Sequence, residues 1–293
     1  MLSRITVLIV MTGCSHLLYP GDRFPYLIPE QIKPHPVDLK IPVLNSSTNE
    51  SLHAWYFATP QKKRNGLVVL FHGNGQNLTT HFFFFKWIID YGYDFLIFDY
   101  RGYGASSGEQ ASQQKTVEDG ISVIDYIHKN FADVPLITIG QSLGSAILGR
   151  SLQELKKENR TEMLPRLVVF DSSFISYQSA ARSTLSQRWF LYPLKPFTYF
   201  VIDDDWSPKA TLKNQPVLPA LFFHNEGDPM IHMDLGQEAF DSWRGPKFLI
   251  KDKDGGHTSA FADPRFVENR VTLIRCLDFV VNKKQNLEEC IKK

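Results

Sequence analysis

The sequence has almost no excess of charge of one sign. Its 293 residues carry 32 Lys and Arg against 31 Asp and Glu, a formal net charge of +1. The longest basic run is the three residues Lys62, Lys63 and Arg64, which lie in a polar stretch. A domain that binds nucleic acid normally has a basic excess or a basic face. The composition therefore predicts no nucleic-acid partner.

Cysteine and sequence repeats are also scarce. The three cysteines, Cys14, Cys276 and Cys290, do not have the spacing of a metal site. No period of 20 to 50 residues recurs, which argues against propellers and solenoids. Hydrophobic residues make up 43% and charged residues 22%, close to the averages of soluble globular proteins and unlike disordered chains. We expect one large domain with appendages.

The first residues have the layout of a secretory signal. Arg4 is followed by the apolar run Ile5–Met11 and by small residues. This run is too short to cross a bilayer, which needs about 20 apolar residues. The end of the segment, Met11 to Cys14, resembles a bacterial lipoprotein signal, in which cleavage precedes a lipidated cysteine, and Ser15 resembles the type sorted to the outer membrane.

Residues 1–13 are therefore predicted to be a signal peptide, and Cys14 is predicted to be lipidated. The protein would be anchored in a bacterial cell envelope, at the outer membrane facing the periplasm; secretion after an ordinary signal peptide is the alternative. Cleavage leaves Cys276 and Cys290 as a pair, which could form a disulfide in an oxidising compartment or remain as two thiols.

The rest of the chain divides into a tether, a domain and a tail. Residues 14–36 contain five prolines and little periodicity, which predicts an extended proline-rich tether. The domain is predicted to span residues 37–283 and to be followed by a polar tail at 284–293. It begins with a hairpin, read from the apolar stretches at 38–43 and 52–58.

Short apolar runs then alternate with amphipathic helices. Strands are predicted at Leu67 to Phe71, Phe95 to Asp99, Leu136 to Gly140, Leu167 to Phe170, Ala220 to Phe223 and Lys247 to Ile250. Helices are predicted at Thr116 to Lys129 and Phe266 to Val281. Strands without polar alternation are typical of parallel sheets covered on both faces. The predicted fold class is α/β, with a mostly parallel central sheet flanked by helices.

A serine lies at the end of the third of these strands. The residues Gly140 to Gly144 fit G-x-S-x-G around Ser142, between a predicted strand and a predicted helix. Glycines two positions on either side are needed because the turn is so sharp that larger side chains would collide with the neighbouring backbone. The pattern predicts that Ser142 is a nucleophile raised above the sheet.

A serine hydroxyl needs a base to take its proton and an acid to orient that base. His257 is the predicted base because it lies on a loop between the last predicted strand and the last helix. Asp228, just after the strand Ala220 to Phe223, is the predicted acid, and the order Ser, Asp, His suits a serine on such a turn. Asp171 is the main rival for the acid. Weaker candidates are Glu226, Asp252 and Asp254.

Attack by a serine creates an oxyanion that needs hydrogen-bond donors already in place. The segment His72-Gly73-Asn74-Gly75 follows the first central strand, where one donor is expected. We predict that the backbone N–H groups of Asn74 and Leu143 form the oxyanion hole. His72 is expected to be structural, as are His224 and His232.

These motifs together resemble the α/β-hydrolase superfamily over about residues 37–283. The motifs that carry the resemblance are His72 to Gly75, Asp99 to Gly104, Gly140 to Gly144, His224 to Asp228 and Gly255 to His257. More narrowly, the chain is similar to a branch of small serine hydrolases that includes depalmitoylating and monoacylglycerol-lipase-like enzymes. The resemblance implies the α/β-hydrolase fold, an acyl-enzyme mechanism and no metal or organic cofactor. Asn225 stands where this branch commonly has glycine, which leaves the shape of the acid loop open.

The residues 172–217 form an insertion where such folds carry a cap, and we call this segment the cap. Nine of its residues are aromatic: Phe174, Tyr177, Trp189, Phe190, Tyr192, Phe197, Tyr199, Phe200 and Trp206. They predict an apolar acyl pocket, and hence a hydrophobic acyl ester or thioester as substrate. A second aromatic cluster, Phe82 to Phe85, is more simply explained by packing on the sheet.

Two other functions compete with this one. A peptidase of the aminopeptidase type would need acidic groups to hold a substrate amine, and Asp203, Asp204 and Asp205 are the candidates. A catalytically silent hydrolase fold could serve as a membrane-anchored binding protein, but it would be expected to have lost part of the triad. The complete set of Ser142, Asp228 and His257 favours the enzyme.

Overall fold

A computed structural model describes residue 19 and residues 21–186, 189–282 and 287–291 of the chain. The predicted signal peptide at 1–13 and the predicted lipidation site Cys14 lie outside these residues. Within the described part of the chain, no helix combines the length and the apolar character needed to cross a membrane.

The centre of the molecule is one eight-stranded sheet. Its strands are β1 (Val37–Pro42), β2 (Ser51–Phe57), β3 (Gly66–Phe71), β4 (Tyr93–Phe98), β5 (Leu136–Gln141), β6 (Leu167–Asp171), β7 (Ala220–Asn225) and β8 (Lys247–Asp252). Their spatial order is β1-β2-β4-β3-β5-β6-β7-β8. Strand β2 runs antiparallel to β1 and β4, and the other neighbours are parallel. The hairpin and the six later strands are confirmed, with ends within two residues of the predictions.

Burial on both faces explains why the central strands are apolar throughout. All six residues of β3 are buried. Leu67, Val69 and Phe71 pack into a core on one face of the sheet. Val68 and Leu70 pack into a second core on the other face. Each such side chain contributes roughly 1.5 to 3 kcal/mol to folding, so both layers of helices are needed to cover the sheet.

Helices cover both faces of the sheet. They are α1 (Leu78–His81), α2 (Gln113–Asn130), α3 (Leu143–Lys157), α4 (Tyr177–Ser186), α5 (Thr198–Val201), α6 (Met233–Ser242), α7 (Val267–Val281) and α8 (Leu287–Ile291). The two helices predicted at 116–129 and 266–281 are confirmed as α2 and α7. Helix α2 begins where the Ser112 side chain accepts a hydrogen bond from the N–H of Lys115. The cap contains α4, α5 and the 3₁₀ segments Trp189–Phe197 and Pro208–Asn214.

The described part of the predicted tether lies against the domain. Tyr19 is 2% exposed and belongs to one of the cores. The Asn77 side chain donates hydrogen bonds to the carbonyls of Asp22 and Phe24 at 3.0 and 2.8 Å. Arg23 donates to the carbonyl of Ser106 at 3.1 Å. The buried ring of Tyr19 and these hydrogen bonds hold the segment against the domain. The proline content alone predicted an extended tether.

The last described helix is joined to the domain by a disulfide. Cys276 in α7 and Cys290 in α8 are bonded, and both are buried. The Arg275 guanidinium also donates to the carbonyl of Cys290 at 3.3 Å. The described residues of the tail at 284–293 thus form a helix that packs on α7 through Leu287 and Cys290.

Candidate active site

Ser142 lies on a strained turn between β5 and α3. Its backbone has φ +51° and ψ −116°, a conformation that residues other than glycine rarely adopt. A side chain at Gly140 would come within 2.7 Å of the Cα of Ser145, and one at Gly144 would collide with the carbonyl of Phe71. The steric reason for the two glycines is therefore visible: the turn fits only because both positions lack a Cβ.

The structure brings Ser142, His257 and Asp228 together from three separate loops. Ser142 Oγ lies 2.8 Å from His257 Nε2, and His257 Nδ1 lies 2.8 Å from Asp228 Oδ2. A carboxylate only accepts hydrogen bonds, so His257 carries its proton on Nδ1 and donates a hydrogen bond to Asp228. Nε2 then accepts from the serine hydroxyl. This arrangement can take a proton from Ser142 and stabilise the resulting imidazolium.

The surroundings of Asp228 keep it ionised. Burial would raise the pKa of its carboxyl, but the hydrogen bond and charge of His257 and the N–H groups of Ile231 and Met230 outweigh burial and lower the pKa below its usual value. The two N–H groups lie 3.0 and 2.9 Å from Asp228 Oδ1. Asp228 therefore offers a charged acceptor to His257 at neutral pH.

Among the described residues, the rival acid, Asp171, is not hydrogen-bonded to His257. Its Oδ2 accepts a hydrogen bond from the Gln141 side chain at 3.2 Å. Among the weaker candidates, Asp252 accepts from the Asn269 side chain at 2.6 Å. Of these carboxyl groups, Asp228 is the one in hydrogen-bond contact with His257 within the described residues.

The loop predicted to supply an oxyanion donor lies directly beside Ser142. A side chain at Gly73 would lie 3.6 Å from the Ser142 Cβ. The Asn74 side chain is anchored, because its Oδ1 accepts from the Tyr103 hydroxyl at 3.0 Å and from the Gly75 N–H at 2.9 Å. Leu143 is the first residue of α3, where N–H groups are free and the helix dipole favours negative charge.

A buried asparagine joins the acid loop to the histidine loop. Asn225, at the end of β7, is 2% exposed. Its Oδ1 accepts hydrogen bonds from the N–H groups of Gly227 at 2.8 Å and Gly255 at 3.0 Å. Sequence reasoning noted Asn225 only as a departure from the family pattern. A short polar side chain at the end of a buried strand signals a hydrogen-bonded residue, but it does not identify the loops that the residue joins.

Of the three histidines expected to be structural, His72 and His224 have buried side chains with hydrogen-bond partners. His72 is fully buried, and its Nδ1 lies 2.7 Å from the carbonyl of Gly73. His224 Nε2 lies 2.8 Å from the carbonyl of Ile231, and burial lowers the pKa of this imidazole. His232 occupies the N-cap position of α6, where its side chain is exposed and makes no capping hydrogen bond. None of these three side chains contacts Ser142 among the described contacts, as the sequence analysis predicts.

An apolar chamber of about 570 Å³ opens beside Ser142. Ser142, Asn74 and Leu143 line it, together with Met230 and Ile231 from the loop after Asp228. The cap supplies the other walls: Phe174, Tyr177, Ala180, Ala181, Thr184, Leu185, Leu194, Phe197, Thr198, Val201 and Ile202. Within α4 the lining residues recur at helical spacing, so one face of this helix forms a wall.

The cap aromatics contribute less to this chamber than predicted. Of the nine, Phe174, Tyr177 and Phe197 line it. Tyr192, Tyr199 and Phe200 are 53%, 58% and 75% exposed on the outside. The walls are mostly aliphatic, because the cap is short and turns many of its rings outward. The side chain of Trp189 lies outside what the structure describes.

Within the second aromatic cluster, Phe82 and Phe85 are buried in the core, as predicted, whereas Phe83 is 59% exposed. Phe82 is fully buried and lies 5.4 Å from the ring of Trp55. Phe85 is buried against Phe261 at 5.0 Å. None of Phe82 to Phe85 lines the chamber.

Comparison with known protein families and proteins agrees with this geometry. The model of the family described as serine aminopeptidase, S33, matches residues 62–195, which include Ser142 but end before Asp228 and His257. The chain is 27% identical to the uncharacterized protein YfhR of Salmonella typhimurium over 268 residues, which cover 87% of this chain and 88% of that protein. It is 26% identical to lysophosphatidylserine lipase ABHD12 of Mus musculus over 187 residues, which cover 60% of this chain and 45% of the lipase.

Solved structures share the fold. The esterase Pf2001 of Pyrococcus furiosus superposes with a TM-score of 0.65 at 19% identity, over 87% of this chain and 95% of the esterase. The acylaminoacyl peptidase of Pyrococcus horikoshii superposes with a TM-score of 0.63 at 15% identity, over 87% of this chain and 43% of the peptidase. The chain therefore has the α/β-hydrolase fold, and the matching family model and relatives support a hydrolase.

Proposed function

We propose that the protein is a serine hydrolase that cleaves esters or thioesters of hydrophobic carboxylic acids. The observation that carries this proposal is the hydrogen-bonded set of Ser142, His257 and Asp228 at the wall of an apolar chamber. The chamber volume lies within the range of roughly 300 to 1,000 Å³ typical of small-molecule sites. Its walls favour an acyl chain over a polar group.

The proposed reaction has two steps. His257 Nε2 takes the proton of Ser142 Oγ while the oxygen attacks the acyl carbon, and Asp228 stabilises the imidazolium through Nδ1. The imidazolium then gives its proton to the alcohol oxygen or thiol sulfur as the bond between that atom and the acyl carbon breaks. The alcohol or thiol departs, and an acyl-Ser142 ester remains. Water, deprotonated by His257, attacks this ester and releases the acid. Ser142 regains its proton, so the cycle needs no other reactant.

The backbone N–H groups of Asn74 and Leu143 are proposed to bind the oxyanion. Both residues line the chamber together with Ser142. Anchoring of the Asn74 side chain by Tyr103 supports a preformed donor on that loop. Loss of one such donor typically costs about 3 kcal/mol in transition-state stabilisation.

A peptidase is the second candidate, because the matching family model is described as serine aminopeptidase and one structural neighbour is an acylaminoacyl peptidase. Of the three acidic residues proposed for an amine site, Asp204 is engaged in hydrogen bonds within the cap. Asp204 accepts from the N–H of Tyr177 at 2.7 Å and from the Ser176 hydroxyl at 2.6 Å. No acidic side chain lines the described walls of the chamber. These contacts favour the ester or thioester substrate.

Narrowing the chamber should penalise long acyl chains selectively. Ala181 lies on the chamber face of α4, and Ala181→Phe would place a ring where a chain is proposed to bind. We expect kcat/KM for a decanoyl p-nitrophenyl ester or thioester to fall about 10- to 100-fold. The acetyl ester should change less than about threefold, because it does not reach the ring. A chain-length series on both proteins measures this.

The matched control is Ser186→Phe, which adds the same ring to the same helix but on the side facing a separate polar groove. It should leave the chain-length series unchanged. Equal loss for acetyl and decanoyl esters in Ala181→Phe would contradict an acyl chain in the chamber. Faster cleavage of aminoacyl amides than of esters by the wild type would favour the peptidase.

We also propose that the protein is a lipoprotein of a bacterial cell envelope. The sequence before Cys14 supports this, and the buried disulfide between Cys276 and Cys290 supports a location outside the reducing cytoplasm. The intact mass of protein from a bacterial host should correspond to a chain that begins at a lipid-modified Cys14. Cys14→Ser should abolish the modification and release the protein from membranes. An unmodified Cys14 in the wild type would contradict the proposal.

A further inference from the structure

Three polar side chains, those of Asp171, Gln141 and His81, form a hydrogen-bonded network next to the active site. The Gln141 amide contacts Asp171 Oδ2 at 3.2 Å on one side and His81 Nδ1 at 3.2 Å on the other. His81 Nε2 lies 3.1 Å from the carbonyl of Gly75. Gln141 precedes Ser142, Asp171 ends the neighbouring strand, and Gly75 follows Asn74. This network thus joins the residue before Ser142 to the proposed oxyanion loop.

The positions of the protons in this network follow from its hydrogen-bond donors and acceptors. With the Gln141 NH₂ directed to Asp171, its oxygen faces His81. His81 must then donate at both nitrogens, since the carbonyl of Gly75 also accepts. An imidazole donates at both nitrogens only as the cation. This arrangement therefore pairs an imidazolium at His81 with a carboxylate at Asp171.

Rotating the Gln141 amide by 180° gives the other consistent arrangement. The assignment of oxygen and nitrogen in a side-chain amide follows from its hydrogen bonds. The NH₂ would donate to Nδ1 of a neutral His81, which still donates from Nε2 to Gly75. The Gln141 oxygen would then face Asp171, which must donate as a carboxylic acid. Both arrangements contain one proton more than a carboxylate at Asp171 together with a neutral imidazole at His81. Without that proton, one of the three hydrogen-bond contacts would join two acceptors with no donor between them.

The surroundings of Asp171 favour the carboxylic acid. Asp171 is 1% exposed, and its Oδ1 has no hydrogen-bond partner in the described part of the chain, which is costly for a carboxylate. Burial raises the pKa of this carboxyl to about 7; Gln141 and His257 lower it, while the charges of Asp228 and Asp252 raise it. Asp171 thus keeps its proton on the acid side of neutrality.

The surroundings of His81 disfavour the imidazolium. Burial, followed by the electrostatic effect of the neighbouring His72, lowers the pKa of His81 to about 4, against the raising effects of Gly75, Gln141 and Asp99. The ring centroids of His81 and His72 are 5.0 Å apart. A neutral His81 requires the rotated amide and hence a proton on Asp171.

The loop that His81 holds has an unfavourable backbone. Gly75 and Gln76 have φ of +77° and +51°, and the left-handed conformation costs about 1 kcal/mol or more for a residue such as Gln76. His81 contacts this loop twice: through its hydrogen bond to Gly75, and beneath Gly73, where a side chain would lie 3.5 Å from the imidazole Cε1. Loss of the His81 donor would free the loop to relax.

We propose that Asp171 is a protonated positioning residue: through Gln141 and neutral His81 it holds the loop carrying Asn74 in the form that binds the oxyanion. This inference rests on the proposed function for its catalytic consequence. It also accounts for a carboxyl group beside the triad that contacts neither His257 nor the proposed substrate chamber.

The variant Asp171→Asn tests the proton directly, because an amide can donate to the Gln141 oxygen at any pH. On a short acyl ester, its kcat should lie within about threefold of wild type at pH 6. The ratio of mutant to wild-type kcat should rise as pH rises through about 7, where Asp171 loses its proton. Asp171→Leu, which has no donor, should lower kcat about tenfold with KM within twofold. His81→Phe should do the same.

Loss of about 10⁴ in kcat for Asp171→Asn at every pH would overturn the proposal and make Asp171 the acid that orients His257. An unchanged kcat ratio between pH 6 and pH 9 would also overturn it. If the wild type cleaves no ester and Ser142 is not labelled by a fluorophosphonate, the proposed function fails instead.

A stability measurement separates these two failures, since it needs no activity. With a pKa raised above its unfolded value, Asp171 binds a proton in the folded state that the unfolded chain has released. This contribution to the stability of the wild type is lost between about pH 4 and 7. It is absent from Asp171→Asn, whereas the other titrating groups are common to both proteins and cancel in the comparison. The Tm of the variant minus that of the wild type should increase by at least about 3 °C from pH 5 to pH 8. A decrease would show that the buried carboxylate is stabilised, contrary to the proposal.

Discussion

Replacing Ser142 with alanine is expected to lower kcat for acyl ester hydrolysis by about 10⁶, the loss typical of serine nucleophiles. The reason is geometric: Ser142 Oγ is the atom 2.8 Å from His257 Nε2, and Ser142 lines the chamber. Without it, His257 can at best activate water directly, aided by the oxyanion donors. Steady-state hydrolysis of a p-nitrophenyl ester measures the loss, with the Tm reporting that the variant folds.

The matched control is Ser186→Ala, which removes a serine hydroxyl from the outer side of α4. Its kcat should stay within about twofold of wild type, because surface substitutions away from the site have small effects. Ser142→Ala with a normal Tm and more than a tenth of wild-type kcat would contradict the assignment of the nucleophile.

Replacing Asp228 with asparagine is expected to lower kcat by about 10⁴. Asp228 accepts the hydrogen bond that His257 Nδ1 donates, and its lowered pKa keeps it a charged acceptor at neutral pH. An amide can present its NH₂ to Nδ1, which shifts the histidine proton to Nε2 and leaves no base for Ser142. The pH dependence of kcat, measured from pH 6 to 9, should show no recovery at high pH.

The paired comparison with Asp171→Asn makes this test selective. The two carboxyl groups are both buried near His257, but only Asp228 contacts it in the described structure. We expect the two asparagine variants to differ by more than about 10³ in kcat at pH 7. A larger loss for Asp171→Asn than for Asp228→Asn would exchange their roles.

The fold and the contacts among the three triad side chains were accessible from the sequence because each depends on local signals. Buried parallel strands are recognisable as apolar runs, and polar residues at their carboxyl ends meet at one edge of the sheet. Gly140 and Gly144 mark the turn at Ser142 because only glycine fits against Phe71 and Ser145. The order of Ser142, Asp228 and His257 along the chain then selected the histidine and the acid.

The supporting contacts were not accessible, because they join residues distant in sequence through side-chain orientation. Asn225 accepts a hydrogen bond from Gly255, thirty residues away. His81 reaches Gln141 sixty residues away. Neither residue belongs to a local pattern that distinguishes a positioning role from an ordinary buried polar side chain.

The cap illustrates a different limit of structure prediction from sequence. Composition correctly indicated an apolar pocket, but it could not tell which aromatic rings face inward, because the turns of a short irregular segment decide their direction. Phe197 lines the chamber and its near neighbours Tyr199 and Phe200 do not, although all three side chains are more than half exposed. Small residues, Ala180 and Ala181, leave the space that the aromatic residues were expected to enclose.

Labelling with a fluorophosphonate probe, followed by mass spectrometry of the peptides, tests the central claim most directly. A serine activated by His257 and Asp228 should form one phosphonyl adduct per chain, on Ser142, with loss of fluoride. Labelling should vanish in Ser142→Ala and fall strongly in Asp228→Asn. A folded wild type that takes up no probe, or takes it up on another residue, would contradict the assignment of Ser142 as the activated nucleophile.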